Sequence, residues 1–153
     1  MAFLLGIDVG TTGTKTMLVG ENGDIISSAY KGYKIYKDKN LYAEQDAEDW
    51  WDAVVCTVRE CTRSFDSKGD IAAISLSTQG GSMVPVDENG RPLSRAATWM
   101  DSRGEEQSKA LNALKGEDYF FYKAGWKLCN AMNLVQIKWL KDNNAELFKR
   151  AFK

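Results

Sequence analysis

The stretch "GIDVGTTGTK", residues 6 to 15, constrains the fold more than any other part of the chain. It packs three glycines and three threonines around a single aspartate, with the apolar runs "AFLLGID" and "TKTMLVG" on either side. Two strands joined by the tight turn "VGTTG" are the expected result, and "ENGD" at 21 to 24 marks a second turn before "IISSAYKGYKIY". The chain therefore opens as three successive antiparallel strands. The first turn has two readings. It is not a Walker A loop, which needs four residues between its glycines and a Gly-Lys-Ser/Thr ending, nor is it a dinucleotide fingerprint. It does offer Asp8 at a strand end, Gly10 and Gly13 to turn the backbone with N–H groups exposed, and hydroxyls from Thr11, Thr12 and Thr14. Such a turn can form a nest for phosphate oxygens, with Asp8 placed to hold Mg2+ through water and Lys15 adding a positive charge. A hairpin without any ligand uses the same turn-forming residues. An acid at the end of an apolar strand is costly to bury alone, and that tilts the balance toward the cradle.

Further along, "LYAEQD" closes an extended segment, and Asp46 stands where it can cap a helix whose apolar positions Trp50, Val54, Val58 and Cys61 recur at helical spacing. "DIAAISLST" is nearly continuous in apolar character and reads as a buried central strand covered on both faces. "SMVPVD" and "RAATWM" flank the turn "ENGRP" and suggest another hairpin, with Pro85 at an edge or irregularity. After Asp101 the pattern becomes helical in "SRGEEQSKALNALKG", "EDYFFYKAG", "NLVQIKWLKDN" and "AELFKRAF", punctuated by Gly116, Gly125 and Asn143-Asn144.

Composition narrows the function classes. The 153 residues suit one domain with a sizeable core, 1–153. Twenty basic side chains against 21 acidic give no excess of positive charge for nucleic acid or an anionic membrane. No stretch reaches transmembrane length, and the first apolar run has neither the flanks nor the length of a secretion signal, so a cytoplasmic protein is expected. Histidine is absent, which removes the commonest zinc ligand and general base. Cys56, Cys61 and Cys129 form no CxxC pair, and Cys56 and Cys61 are read as buried helix residues.

At this point the chain resembles a family. "GIDVGTTGTK" is similar to the first phosphate motif of the actin, Hsp70 and sugar-kinase superfamily. "EQDAEDWW" at 44–51, "IAAISLSTQGG" at 71–81, "VDENGRPLSRAATWMDSRG" at 86–104 and "KWL" at 138–140 narrow the resemblance to the FGGY carbohydrate kinases, xylulokinase-like members above all. The implied fold is an α/β, RNase H-like domain: a mixed sheet whose fourth strand runs parallel to the first, with helices on both faces and a helical region appended. The implied activity is transfer of the ATP γ-phosphoryl group to a sugar or polyol hydroxyl, with ATP and Mg2+ as cofactors. The resemblance places Asp8 at the metal, Thr11, Thr12, Gly13 and Lys15 at the phosphates, and Gln79, Gly80, Gly81, Asp101 and Arg103 at the sugar.

The family's catalytic Asp, in a "PGxxD"-like motif, and most of its adenosine site are expected beyond Lys153. The chain is then a fragment of a two-domain enzyme, inactive alone, with the C-terminal domain as its partner and a homodimer as a further expectation. Gly80-Gly81 departs from the pattern, since xylulokinases carry Met-His there and glycerol kinases Arg-Glu, so the sugar stays open. Asp101 has a second reading as the N-cap of a helix beginning at Ser102. Trp99, Trp50 and Trp51 are read as packing residues, Trp99 with a sugar wall as its alternative. Two other classes stand beside the kinase: a non-catalytic actin-like interaction or assembly domain, and an Hsp70-type ATPase, against which "TQGG" and "WMDSRG" speak.

Overall fold

The apolar run around Asp8 forms β1 (Phe3–Val9), and the Gly/Thr turn leads into β2 (Gly13–Gly20), which returns antiparallel beside it. A turn with Gly23 at φ 92°, a left-handed value that favours glycine, passes the chain to β3 (Ile25–Gly32), antiparallel to β2. The computed structural model describes residues 2–38, 41–63 and 70–153. "IISSAYKGYKIY" is not one strand: β3 ends at Gly32, and Tyr36–Asp38 form a separate strand, β4, in a different sheet. β5 (Tyr42–Gln45) follows, and helix α1 (Ala47–Cys61) starts directly after Asp46.

β6 (Ile71–Thr78) lies parallel to β1 and completes a four-stranded sheet in the order β3-β2-β1-β6. Alternation decides which side of this sheet is covered. Leu5, Ile7 and Leu18 point to one face and form a core cluster with Val54 and Val58 of α1. Ala53, Thr57 and Cys61 are the buried residues of α1; of the expected positions Cys61 is among them and Val54 and Val58 pack partly buried on the core, while Trp51 and Cys56 are exposed. Thr57 donates to the Ala53 carbonyl at 2.8 Å and lies 2.7 Å from the Thr16 hydroxyl, while the Cys61 thiol donates to the Thr16 carbonyl at 3.1 Å.

The expectation of a buried central strand at 71–78 is corrected. β6 is an edge strand among the described residues and is exposed beyond Ile71, with Ile74 63% and Leu76 66% accessible. They lie in register with Leu5 and Ile7, so they share α1's face of the sheet without being covered.

Residues Met1–Lys34 and Glu48–Gln79 make up one compact unit, and Ile35–Ala47 with Gly80–Lys153 a second. In the second, β4, β5 and β7 (Ala96–Ala97) form a small antiparallel sheet. The hairpin expected around "ENGRP" is reduced to the isolated bridges Met83↔Ala97 and Val86↔Pro92. Its turn is held by the Asp87 carboxylate, which accepts from the Arg91 and Asn89 amides at 2.9 Å each, and these bonds lower its pKa.

The helices of this unit are α2 (Glu105–Lys115), α3 (Glu117–Ala124), α4 (Asn133–Asn143) and α5 (Ala145–Arg150). Their stops follow local chemistry. Gly125 ends α3 in the left-handed conformation at φ 73°, and the Asn144 side chain caps α5 by accepting from the Leu147 amide. Phe120, Leu128 and Val135 form the second core cluster. Among the described residues no helix is long and apolar enough to cross a membrane.

Candidate functional site

The turn between β1 and β2 is tied down by tyrosines from β3 and the residue after it. Tyr33 donates its hydroxyl to the Gly10 carbonyl and its amide to the Thr12 carbonyl, the latter at 3.3 Å, and Tyr30 donates to the same Thr12 oxygen at 3.1 Å. The Gly10 amide donates to the Gly13 carbonyl at 3.1 Å. With those carbonyls claimed from within the unit, Thr12 remains exposed at the tip of the turn. Thr14 is fully buried beside Tyr33. Burial raises the Tyr33 phenol above its ordinary pKa, with the charge of Asp8 a smaller contribution in the same direction. That keeps Tyr33 a neutral donor at physiological pH.

Asp8 is exposed, so the burial penalty that favoured a metal in the sequence argument does not operate. Position carries the case instead: Asp8 stands across from Lys15 on β2 and Ser77 on β6, on the sheet face opposite Leu5 and Ile7. Among the described residues it makes no ion pair. No set of three or more His, Cys, Asp or Glu side chains there forms a metal cage. One free carboxylate suits Mg2+ that keeps most of its ligands as water and phosphate oxygens.

Gln79 closes the first unit, and its amide donates to the Val9 carbonyl at 2.9 Å. Gly80 and Gly81 open the second unit and line a pocket of about 660 Å³ together with Trp99, Trp126, Ala131 and Met132. Trp99 is 47% exposed, which overturns its reading as core and makes it a wall of this pocket. The two glycines differ in kind. Gly81 has φ 70°, and a Cβ there would stand 2.8 Å from the Ala131 carbonyl and 3.2 Å from Trp99 Cβ, so backbone and packing both demand glycine. At Gly80 a Cβ would meet nothing within 4 Å. Trp126 and Ala131 were absent from the sequence reading, because nothing local distinguishes them from helix-flanking filler.

Asp101 is 2% exposed and saturated by protein donors. Its Oδ2 accepts from the Ala43 amide at 2.8 Å and from Arg103 Nη2 at 2.7 Å, and its Oδ1 accepts from Arg103 Nε at 2.8 Å. Arg103 also pairs with Glu44 at 2.6 Å and lies over the rings of Tyr42 and Trp139, at 4.0 and 4.8 Å from their centroids. Burial alone would lower the Arg103 pKa, but the bonds to Asp101 and Glu44 outweigh it and hold the guanidinium above its ordinary value. The N-cap reading of Asp101 is corrected, since α2 begins at Glu105 with Gly104 at its N-cap. Asp101 and Arg103 instead brace the segment that carries Trp99.

Three strands in antiparallel succession, a helix, and a fourth strand parallel to the first define a class: the actin-like, RNase H-type domain. Comparison with known proteins places the chain within that class. Residues 3–153 match the FGGY family of carbohydrate kinases, N-terminal domain, and the chain belongs to this family. It is 33% identical over 153 residues to a gluconokinase of Bacillus subtilis, covering 99% of this chain and 29% of that protein. It is 28% identical to a xylulose kinase of Staphylococcus xylosus, covering all of this chain and 32% of that one. A ligand-bound xylulose kinase from Lactobacillus acidophilus superposes with a TM-score of 0.93 at 30% identity over 100% of this chain and 31% of its own. The chain thus spans less than a third of the length of these relatives.

Proposed function

We propose that the full-length protein is an ATP-dependent carbohydrate kinase acting in the cytoplasm, and that this chain supplies its phosphate-contacting turn and part of its acceptor pocket. Family membership supports this reading, and the observation that carries it is Asp8: an exposed carboxylate at the end of β1, free of ion pairs among the described residues, beside a turn whose carbonyls are engaged by Tyr30 and Tyr33. In this assignment Thr11, Thr12, Gly13 and Lys15 meet the β- and γ-phosphates of ATP. Asp8 holds Mg2+ through water, and the metal when bound neutralises phosphate charge. Gly80 and Gly81 line the sugar or polyol pocket with Trp99, an aromatic face suited to the apolar side of a sugar. Gln79 is assigned to the acceptor by its register in "TQGG", and Asp101 and Arg103 by theirs in "WMDSR", where they act behind the pocket wall.

The acceptor hydroxyl oxygen bonds to the γ-phosphorus as the bond to the β–γ bridging oxygen breaks. ADP leaves, and the hydroxyl proton passes to a base outside these 153 residues. Positioning and charge neutralisation supply most of the rate in such transfers. The pocket selects the acceptor, and the relatives' names, gluconokinase and xylulose kinase, leave an aldonic acid and a ketose both in view.

The test is sugar-dependent ADP release by the full-length protein across pentoses, hexoses, aldonic acids and polyols, with Asp8→Ala alongside. The variant is expected to stay folded and to lose about a hundredfold in kcat, the scale of losing preorganised charge stabilisation. Unchanged turnover at saturating Mg2+ and ATP would reduce the turn to a hairpin.

A further inference from the structure

Gln136, on α4, is 3% exposed and spends its side chain in an unusual way. Its Nε2 donates to the Gly81 carbonyl at 3.2 Å and to the Thr98 carbonyl at 3.1 Å. Both partners are carbonyl oxygens, so the amide must present its nitrogen to them. Its Oε1 is then buried with no protein hydrogen-bond partner among the described residues. Leaving a buried amide oxygen unsatisfied is unfavourable, and the side chain accepts that cost while bonding two carbonyls at once. Local rules broken in this way occur at functional positions.

The two tethered carbonyls point to what that function is. Gly81 and Trp99, the residue after Thr98, both line the 660 Å³ pocket. They come from separate segments, and each is awkward to hold in place. Gly81 sits in the left-handed region against Ala131 and Trp99, and Trp99 is a large ring left 47% exposed. Thr98 is already anchored on its other side, where its amide and hydroxyl donate to the Ala43 carbonyl at 3.0 and 2.8 Å, and its carbonyl also accepts from the Asp101 amide at 3.0 Å. The Met83↔Ala97 bridge joins the two segments two residues beyond Gly81, and a tether at the pocket wall itself must come from elsewhere. Gln136 supplies it, joining the glycine segment to the tryptophan segment through one planar group.

We infer that Gln136 is the positioning residue of the acceptor pocket: it touches no substrate and fixes the distance between the Gly81 and Trp99 walls. This rests on the kinase reading above. Without the tether, the two walls drift and the binding-competent arrangement becomes one of several. Apparent affinity then falls by the fraction of molecules that hold it, whereas a saturating acceptor draws the walls back together. The loss should therefore fall on the acceptor KM and spare both kcat and the KM for ATP.

The test is steady-state kinetics of the full-length enzyme on whichever acceptor turns over best, comparing unmodified protein with Gln136→Met and Gln136→Glu. Met keeps the length and removes both donors. Glu keeps the shape and sets an oxygen against two carbonyl oxygens. For Met the expected result is an acceptor KM raised about tenfold, the effect of a competent fraction near one tenth, with kcat within about threefold and the ATP KM unchanged; Glu should show the same split in larger measure. An acceptor KM that does not move in a folded variant overturns the assignment, as does a loss shared equally with ATP. Failure of both variants to fold would make Gln136 a core residue and overturn it too. No turnover by the unmodified enzyme with any sugar removes the kinase reading and this inference with it, a result distinct from an active parent whose KM ignores position 136.

Discussion

Gly13 shows how a residue can belong to a phosphate motif and still owe its identity to packing. It has no left-handed φ, but a Cβ at this position would strike the Tyr30 hydroxyl and stand 2.7 Å from the Lys31 carbonyl. β3 crosses too closely for any side chain. Gly6, on β1 opposite Met17, has nothing within 4 Å of the same added atom. The two glycines therefore predict opposite outcomes in thermal unfolding. Gly13→Ala should destabilise by about 1–3 kcal/mol, as overpacking does. Gly6→Ala should be neutral or stabilising by up to about 1 kcal/mol, through the loss of unfolded-chain freedom. Equal melting temperatures for the two variants would contradict the packing account. The sequence alone showed a Gly/Thr cluster after a strand but not this distinction, because the atoms that crowd position 13 lie on another strand.

At the scale of elements, the helix stops at Gly116, Gly125 and Asn144 were legible in the sequence because each is a local event: a backbone that needs glycine, or an amide that caps. What was not legible depended on partners far along the chain. Asp101 reads as a cap or a ligand until Ala43 and Glu44 are seen beside it and its neighbour Arg103. Trp99 reads as core until the segment around it is seen to leave its ring open. The join between α1 and its sheet is of this second kind, because two threonines face each other where apolar residues would be expected. The Thr57 hydroxyl donates to Ala53, so its partner Thr16 must be the donor between them. Thr57→Val should then cost about 1–3 kcal/mol by stranding the Thr16 hydroxyl, Thr16→Val should cost less, and the double variant should recover part of the first loss. Denaturant unfolding of all three checks the order. Additive losses would mean that the hydroxyls do not depend on each other.

For the molecule as a whole, the strand order was readable from the run of turns and apolar segments, but the environment of β6 was not. A nearly continuous apolar strand implies cover, and among the described residues that cover stops at β1, leaving Ile74 and Leu76 exposed on a free sheet edge. Exposed apolar edges are templates for pairing with other chains. The purified 153-residue polypeptide should therefore associate as its concentration rises in analytical ultracentrifugation, and it should show no sugar-dependent ADP release. Leu76→Lys should suppress the association without lowering the melting temperature. A monomer at all concentrations, or turnover by the piece alone, would count against this account. The Asp101–Arg103–Glu44 cluster carries a consequence of another sort. Its members sit in two stretches far apart in the chain, and removing Arg103 leaves the enclosed Asp101 carboxylate without its counterpart, a change that is strongly destabilising where such pairs are buried. Over generations of descent, the "YAE" and "MDSR" stretches are thus not free to drift singly: a lineage that loses the arginine must refit both acids, and the two stretches are inherited as one character.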